Sequence, residues 1–110
     1  MKLPNAERAF VDLAKLRDYS LDPVHWKGKH KARVFASALG LTRNDAQWLC
    51  DELLRAAREL NCSVGPLTAH GQRYVQAFDL ARGEKTCRIQ SVWNIRSDED
   101  FPRLITCFVI

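Results

Sequence analysis

Apolar residues recur along this chain at two different periods, and the first of them ends at Asn61. Before that point they return every three to four residues. Ala32, Phe35, Ala36 and Leu39 share one face of a helix predicted over Lys29 to Leu39, with Gly40 as its stop. Lys29 and Arg33 flank that face on one side and Lys31 on the other, while His30 points away. Thr42-Arg43-Asn44-Asp45 has the form of a capping box, with Asp in the place of the usual Glu. It opens a second helix whose stripe is Ala46, Leu49, Leu53, Ala57 and Leu60, closed by Asn61. Leu13, Leu16, Tyr19 and Leu21 suggest an earlier helix around Leu13 to Tyr19, ended by Asp22-Pro23 because a residue before proline is pushed out of helical geometry. Ala9-Phe10-Val11 fits either a short strand or a first helical turn.

Beyond Asn61 the composition changes, and from Arg73 onward the period is two. Ser63 to Gly71 reads as a loop or an irregular strand. From Arg73, the residues Tyr74, Gln76, Phe78 and Leu80 alternate with Arg73, Val75, Ala77 and Asp79, and Ala81-Arg82-Gly83-Glu84 makes a turn. Thr86 to Arg96 is the strongest strand, with Cys87, Ile89, Ser91, Trp93 and Ile95 on one face and Arg88, Gln90, Val92, Asn94 and Arg96 on the other. Ser97 to Asp100 is an acidic turn, and Arg103 to Ile110 a last β-rich stretch. Helices first and strands later predict a single α+β domain over residues 1–110, its N-terminal helices packed on one face of a C-terminal three- to four-stranded antiparallel sheet.

Composition narrows the function classes. Of 110 residues, 46% are hydrophobic and 27% charged, the balance of a folded globular domain. A net charge of +4 admits an anionic partner without demanding one. No apolar run approaches the roughly 18 residues of a membrane span, and the N-terminus lacks an apolar leader segment, so no membrane partner and a cytoplasmic address are expected. Cys50, Cys62, Cys87 and Cys107 form no CxxC pair, which argues for free thiols rather than a zinc knuckle. There is no phosphate-binding glycine loop, no GxGxxG and no HExxH, so neither a cofactor nor a metal site is expected.

Charge then singles out His25-Trp26-Lys27-Gly28-Lys29-His30-Lys31-Ala32-Arg33, which holds no acid. Such a run commonly faces water. Here it also carries two imidazoles, a side chain type that titrates near neutrality, and an aromatic ring on which a base can stack. Trp26 is equally a candidate core residue. Gly28 allows a close approach of backbone to a ligand or a sharp entry turn. The row Arg88, Gln90, Asn94 and Arg96 is a second candidate, as a wet outer sheet face or a binding floor that Thr106 joins if the register allows. Asp98, Glu99 and Asp100 read first as decoration of a turn. The chemistry that suits these parts is metal-independent RNA cleavage, with His25 or His30 as base or acid and Lys29, Lys31, Arg33 and Arg96 stabilising phosphorane charge.

Leu3 to Ala9, Lys15 to Tyr19, Gly28 to Phe35, Asp100 to Leu104 and Thr106 to Phe108 resemble an uncharacterised family of small bacterial domains, over nearly the whole chain. Its members look like toxins of toxin–antitoxin pairs or the tips of polymorphic toxins, with a layout similar to the barnase, EndoU, colicin D and RelE group of ribonucleases. The resemblance implies an endoribonuclease toxin acting on RNA and held as a heteromer by a protein antitoxin encoded nearby. It puts Lys29, His30, Lys31, Arg96 and Thr106 at the site; the basic run and the strand face by themselves offer Trp26, Lys27, Arg33 and Arg88 as further nucleic-acid contacts. Where the family ends on Tyr, this chain has Phe108, so no hydroxyl acts there. The alternatives are a non-catalytic nucleic-acid-binding module and a protein-interaction module of the antitoxin or immunity type.

Overall fold

The computed structural model describes residues 1–110. A 3₁₀ turn at Ala6–Arg8 precedes α1 (Leu13–Lys15), which runs on into a π-turn at Leu16–Ser20. After α2 (Lys29–Leu39), a 3₁₀ turn at Arg43–Asp45 leads into α3 (Ala46–Glu59). The strands are β1 (Ser63–Thr68), β2 (Gly71–Arg82), β3 (Lys85–Ile95) and β4 (Arg103–Val109). They pair antiparallel in the order β1-β2-β3-β4, so the α+β layout expected from the change of period is the one present.

Local chemistry accounts for most boundaries. The capping box is complete, Thr42 accepting at its side chain while Asp45 accepts from the Thr42 N–H at 2.8 Å. Gly40 ends α2 in the left-handed region at φ 69°. The expected Asn61 stop is displaced: α3 ends at Glu59, Leu60 turns extended, and Asn61 bridges Lys2 instead. Ala9-Phe10-Val11 takes its strand option in minimal form. The Phe10 N–H donates to the Pro102 carbonyl at 2.8 Å and its carbonyl accepts from Leu104 at 2.9 Å, so one parallel bridge extends the sheet beyond β4. The turn after β2 is tighter than expected, since the strands pair out to Arg82 and Lys85.

One sheet face meets the helices. Phe78, Leu80, Ile89, Trp93 and Cys107 join Phe35, Leu39, Leu49 and Leu53 in a single buried cluster. Ala36, expected on the inward face of α2, is exposed; Ala32, Phe35 and Leu39 make the contact. The polar residues on the inner stripe are used. Gln76 donates to the Leu60 carbonyl, just past the end of α3, at 3.1 Å and to the Ala56 carbonyl, which also accepts from the Leu60 N–H, at 3.0 Å, while its own Oε1 is left without a partner. Ser91 accepts from the Trp93 indole at 3.0 Å. All four cysteines are free thiols, and burial pushes the Cys107 thiol up to about 12.

The acidic turn has internal work. Glu99 accepts both arms of Arg103 at 2.8 Å, and Asp100 accepts from Arg8 at 2.8 Å, tying the N-terminal segment to the start of β4. Arg103 holds the Glu99 carboxyl below its ordinary range, Arg8 does the same for Asp100, Arg82 for Asp45, and Arg17 with Arg43 for Asp18. A carboxyl whose folded pKa is depressed stabilises the fold above its unfolded value, near 4, and loses that contribution as pH falls. The melting temperature followed by circular dichroism should be level between pH 7 and 5 and fall below about pH 4. An unchanged melting temperature at pH 3 would show that these pairs carry no net stability.

Candidate functional site

The opposite sheet face has no helix over it. By the pairing, Val75, Ala77 and Asp79 of β2, Arg88, Gln90, Val92 and Asn94 of β3, and Thr106 and Phe108 of β4 all point to this side. Ala77, Asp79 and Arg88 are exposed, while Val75, Gln90, Val92, Thr106 and Phe108 are half-buried. The conditional expectation for Thr106 is met, because it stands opposite Val92.

At the β4 edge α2 reaches round to this face. The Lys31 ammonium donates to Thr106 Oγ1 at 2.9 Å and lies 5.3 Å from the centre of the Phe108 ring. One turn of sequence in α2 and the last strand, 75 residues apart, therefore meet in one contact. His30, Lys31, Val34, Phe108 and Val109 line a shallow pocket of about 230 Å³ there. An ammonium carries three donors; Thr106 takes one and fixes the direction of the others. The ring face adds a cation–π attraction that holds the charge at the sheet edge.

The segment before α2 serves the fold. His25 Nδ1 accepts from the Lys27 and Gly28 N–H groups at 3.0 and 3.1 Å, and its ring packs 4.6 Å from that of Tyr19. One imidazole nitrogen of His25 is thus committed to the turn. Gly28 is buried against the Tyr19 carbonyl, so its missing side chain makes room for the protein's own backbone. Trp26 is 74% exposed, with the Lys27 ammonium 4.7 Å above its ring, and so is a surface platform rather than a core residue. Arg33 is exposed and Lys29 half-buried.

A second cleft, of about 500 Å³, opens on the same sheet face at the tip of the β1–β2 hairpin. His70, Arg73, Asn94 and Arg96 line it, with Asp98 and Ile105. Asn94 donates to the His70 carbonyl at 3.0 Å, drawing the hairpin tip over the sheet. A neighbouring hollow shares Asn94 and Arg96 and adds Lys15 and Arg103. Asn94 and Arg96 are candidates from the strand pattern, whereas His70 and Arg73 are not. A histidine in a glycine-flanked stretch reads as loop, and only the hairpin register brings it to the cleft.

The candidate residues do not form one cluster. Lys31, His30 and Thr106 come together, Arg96 lies in the hairpin cleft, and Arg88 is bound to Asp79 at 3.0 Å. Arg88 lies toward the far end of β3, roughly 25 Å from Arg96 along an extended strand. No three His, Cys, Asp or Glu side chains gather as a metal site would require. No helix is long and apolar enough to cross a membrane.

No curated protein matches the chain. A family model described as "Domain of unknown function" matches residues 2–110, essentially the entire sequence, and the chain belongs to that family, DUF6883.

Proposed function

We propose that this domain binds single-stranded RNA on the open sheet face and cleaves it at the Lys31–Thr106 contact, as the toxic component of a toxin–antitoxin pair. The observation that supports this most is the 2.9 Å bond from Lys31 to Thr106, which presents a half-buried ammonium beside His30 on a sheet face free of helices. In the reaction the ribose 2′-hydroxyl attacks the adjacent phosphorus and loses its proton to a base, while the 5′-oxygen leaves with a proton from an acid. The products are a 2′,3′-cyclic phosphate and a free 5′-hydroxyl. His30 takes the proton of the 2′-hydroxyl, water supplies the proton that leaves with the 5′-oxygen, Lys31 stabilises the charge that builds on the phosphoryl oxygens, and Thr106 holds the ammonium in place. Phe108 and Val92 offer an apolar floor for a base, and exposed Trp26 a second stacking surface. Lys27, Lys29 and Arg33 supply backbone attraction around the entrance to α2.

The test is incubation with total RNA in the absence of divalent metal, followed by analysis of the new ends. Discrete fragments bearing 5′-hydroxyl and cyclic phosphate ends are expected. Intact RNA with folded protein would overturn the nuclease. If RNA is then bound, with an affinity that falls steeply as salt rises, the non-catalytic binding module takes its place.

A further inference from the structure

Two residues that line the hairpin cleft carry buried polar atoms with no partner in the protein, Asn94 Oδ1 and Arg73 Nε; the third such atom, Gln76 Oε1, lies in the core on the other sheet face. They belong to residues directly opposite each other on β2 and β3, so both side chains rise from the same face, one strand apart. Asn94 is 4% exposed. Its amide orientation is set because Nδ2 donates to the His70 carbonyl at 3.0 Å, which leaves Oδ1 as a fixed acceptor. Arg73 Nε can only donate. A buried acceptor and a buried donor left open on cross-strand neighbours are costly unless something completes them. Each nucleobase has an edge that carries an adjacent donor and acceptor, the complement of this pair.

The rim suits the rest of a nucleotide. Arg96 is only loosely engaged, 3.7 Å from Glu99, because Glu99 is already held by both arms of Arg103. Arg96 and His70 line an open cleft of about 500 Å³, well within the size range of small-ligand sites. Asp98 offers an acceptor for a ribose hydroxyl. Asn94 is one two-residue step from Val92, the partner of Thr106, so this cleft lies about 7 Å along the strand from the Lys31 contact.

We infer that the cleft between His70, Arg73, Asn94 and Arg96 is a nucleotide subsite. The base edge bridges Arg73 Nε and Asn94 Oδ1, and the phosphate rests on Arg96 and His70. The assignment rests on the RNA reading above and gives it the subsite that selects the nucleotide beside the scissile bond.

The experiment titrates ¹⁵N-labelled protein with each of the four ribonucleoside 5′-monophosphates and with inorganic phosphate, reading the Arg73 Nε–H and Asn94 side-chain amide signals. At least one monophosphate should shift both signals saturably and bind about tenfold tighter than phosphate. Asn94→Ala should erase that advantage, and Arg96→Ala should weaken both ligands. Should Asn94→Ala fail to fold, the wild-type Arg73 Nε–H response decides alone. Equal binding of phosphate and nucleotides, or an Arg73 signal that no nucleotide moves, overturns the subsite and leaves ordered water as the group that completes the pair. Nucleotide binding without RNA cleavage keeps the subsite and removes the nuclease. Cleavage without a nucleotide response at Arg73 does the reverse.

Discussion

Lys31→Ala is expected to lower RNA cleavage by about a thousandfold while the protein remains folded. A fixed cation or donor aimed at developing charge accounts for roughly 10² to 10³ in rate where such groups have been removed. Two neighbours hold the Lys31 ammonium where the proposed reaction needs it, Thr106 Oγ1 at 2.9 Å and the Phe108 ring at 5.3 Å. Thr106→Val keeps the shape of the side chain and deletes the acceptor. The ammonium is then free to swing, and a loss of about tenfold is expected, the worth of one hydrogen bond of about 1 kcal/mol or slightly more. Lys31→Arg should recover little, since a planar guanidinium does not replace a compact ammonium in a small pocket. Single-turnover cleavage of one RNA oligonucleotide, with melting curves for each variant, measures all three. Lys31 is half-buried with its ammonium over the Phe108 ring, so Lys31→Ala should cost no more than about 1–2 kcal/mol of stability. Full activity in a folded Lys31→Ala protein would remove Lys31 from the chemistry.

Gly28→Ala is expected to be among the most damaging changes to the fold, at about 2–3 kcal/mol. A methyl group there would lie 2.9 Å from the Tyr19 carbonyl carbon and closer still to its oxygen, both of them backbone. Neither can move without disturbing the π-turn that buries Leu16 and Ser20 or the His25 hydrogen bonds that close the turn into α2. Gly40→Ala is the informative control. It meets nothing within 4 Å, so only its φ of 69° opposes the change, and a cost of about 1 kcal/mol is expected. Urea denaturation compares the pair. Equal midpoints would mean that the Tyr19 contact relaxes freely and that Gly28 matters only for backbone freedom. Because this turn aims the first residues of α2, a folded Gly28→Ala protein should also lose part of its RNA cleavage.

The helices and strands were legible where the signal is local. The bounds of α2 follow from Gly40 and the apolar spacing, the start of α3 from Thr42 and Asp45, and the faces of β2 and β3 from their alternation. Errors arose where a distant partner decides. The sequence predicts Asn61 as the stop of α3, but Lys2 pairs with it and Gln76 donates to the Leu60 carbonyl instead. Ala36 was counted with the buried face, yet α2 meets the sheet along a strip too narrow to include it, and a small apolar residue costs little when exposed.

The candidate site was half legible. Charge drew notice to Lys31, and the strand pattern to Asn94 and Arg96. The Lys31–Thr106 bond depends on the β3–β4 register, which shifts at an irregularity between Val92 and Trp93 that no local pattern announces. Asn94 sits on a face expected to be wet but is covered by the hairpin tip and flanked by Arg73 and Arg103. His25 drew notice as a titratable group in a basic run, while its Nδ1 secures the turn.

The central claim is that RNA lies on the helix-free sheet face, and mapping a bound RNA by NMR tests it most directly. The probe is a short oligonucleotide with a single 2′-deoxy position at the cleavage site, which removes the attacking hydroxyl and keeps the complex intact. Amide and side-chain shifts are expected at Gln90, Val92, Asn94, Thr106, Phe108 and Lys31, with none on the exposed side of α3 around Asp51 and Arg55. Shifts confined to α3, or no saturable shift at all, would contradict the account and move the search for this domain's partner away from the open sheet face.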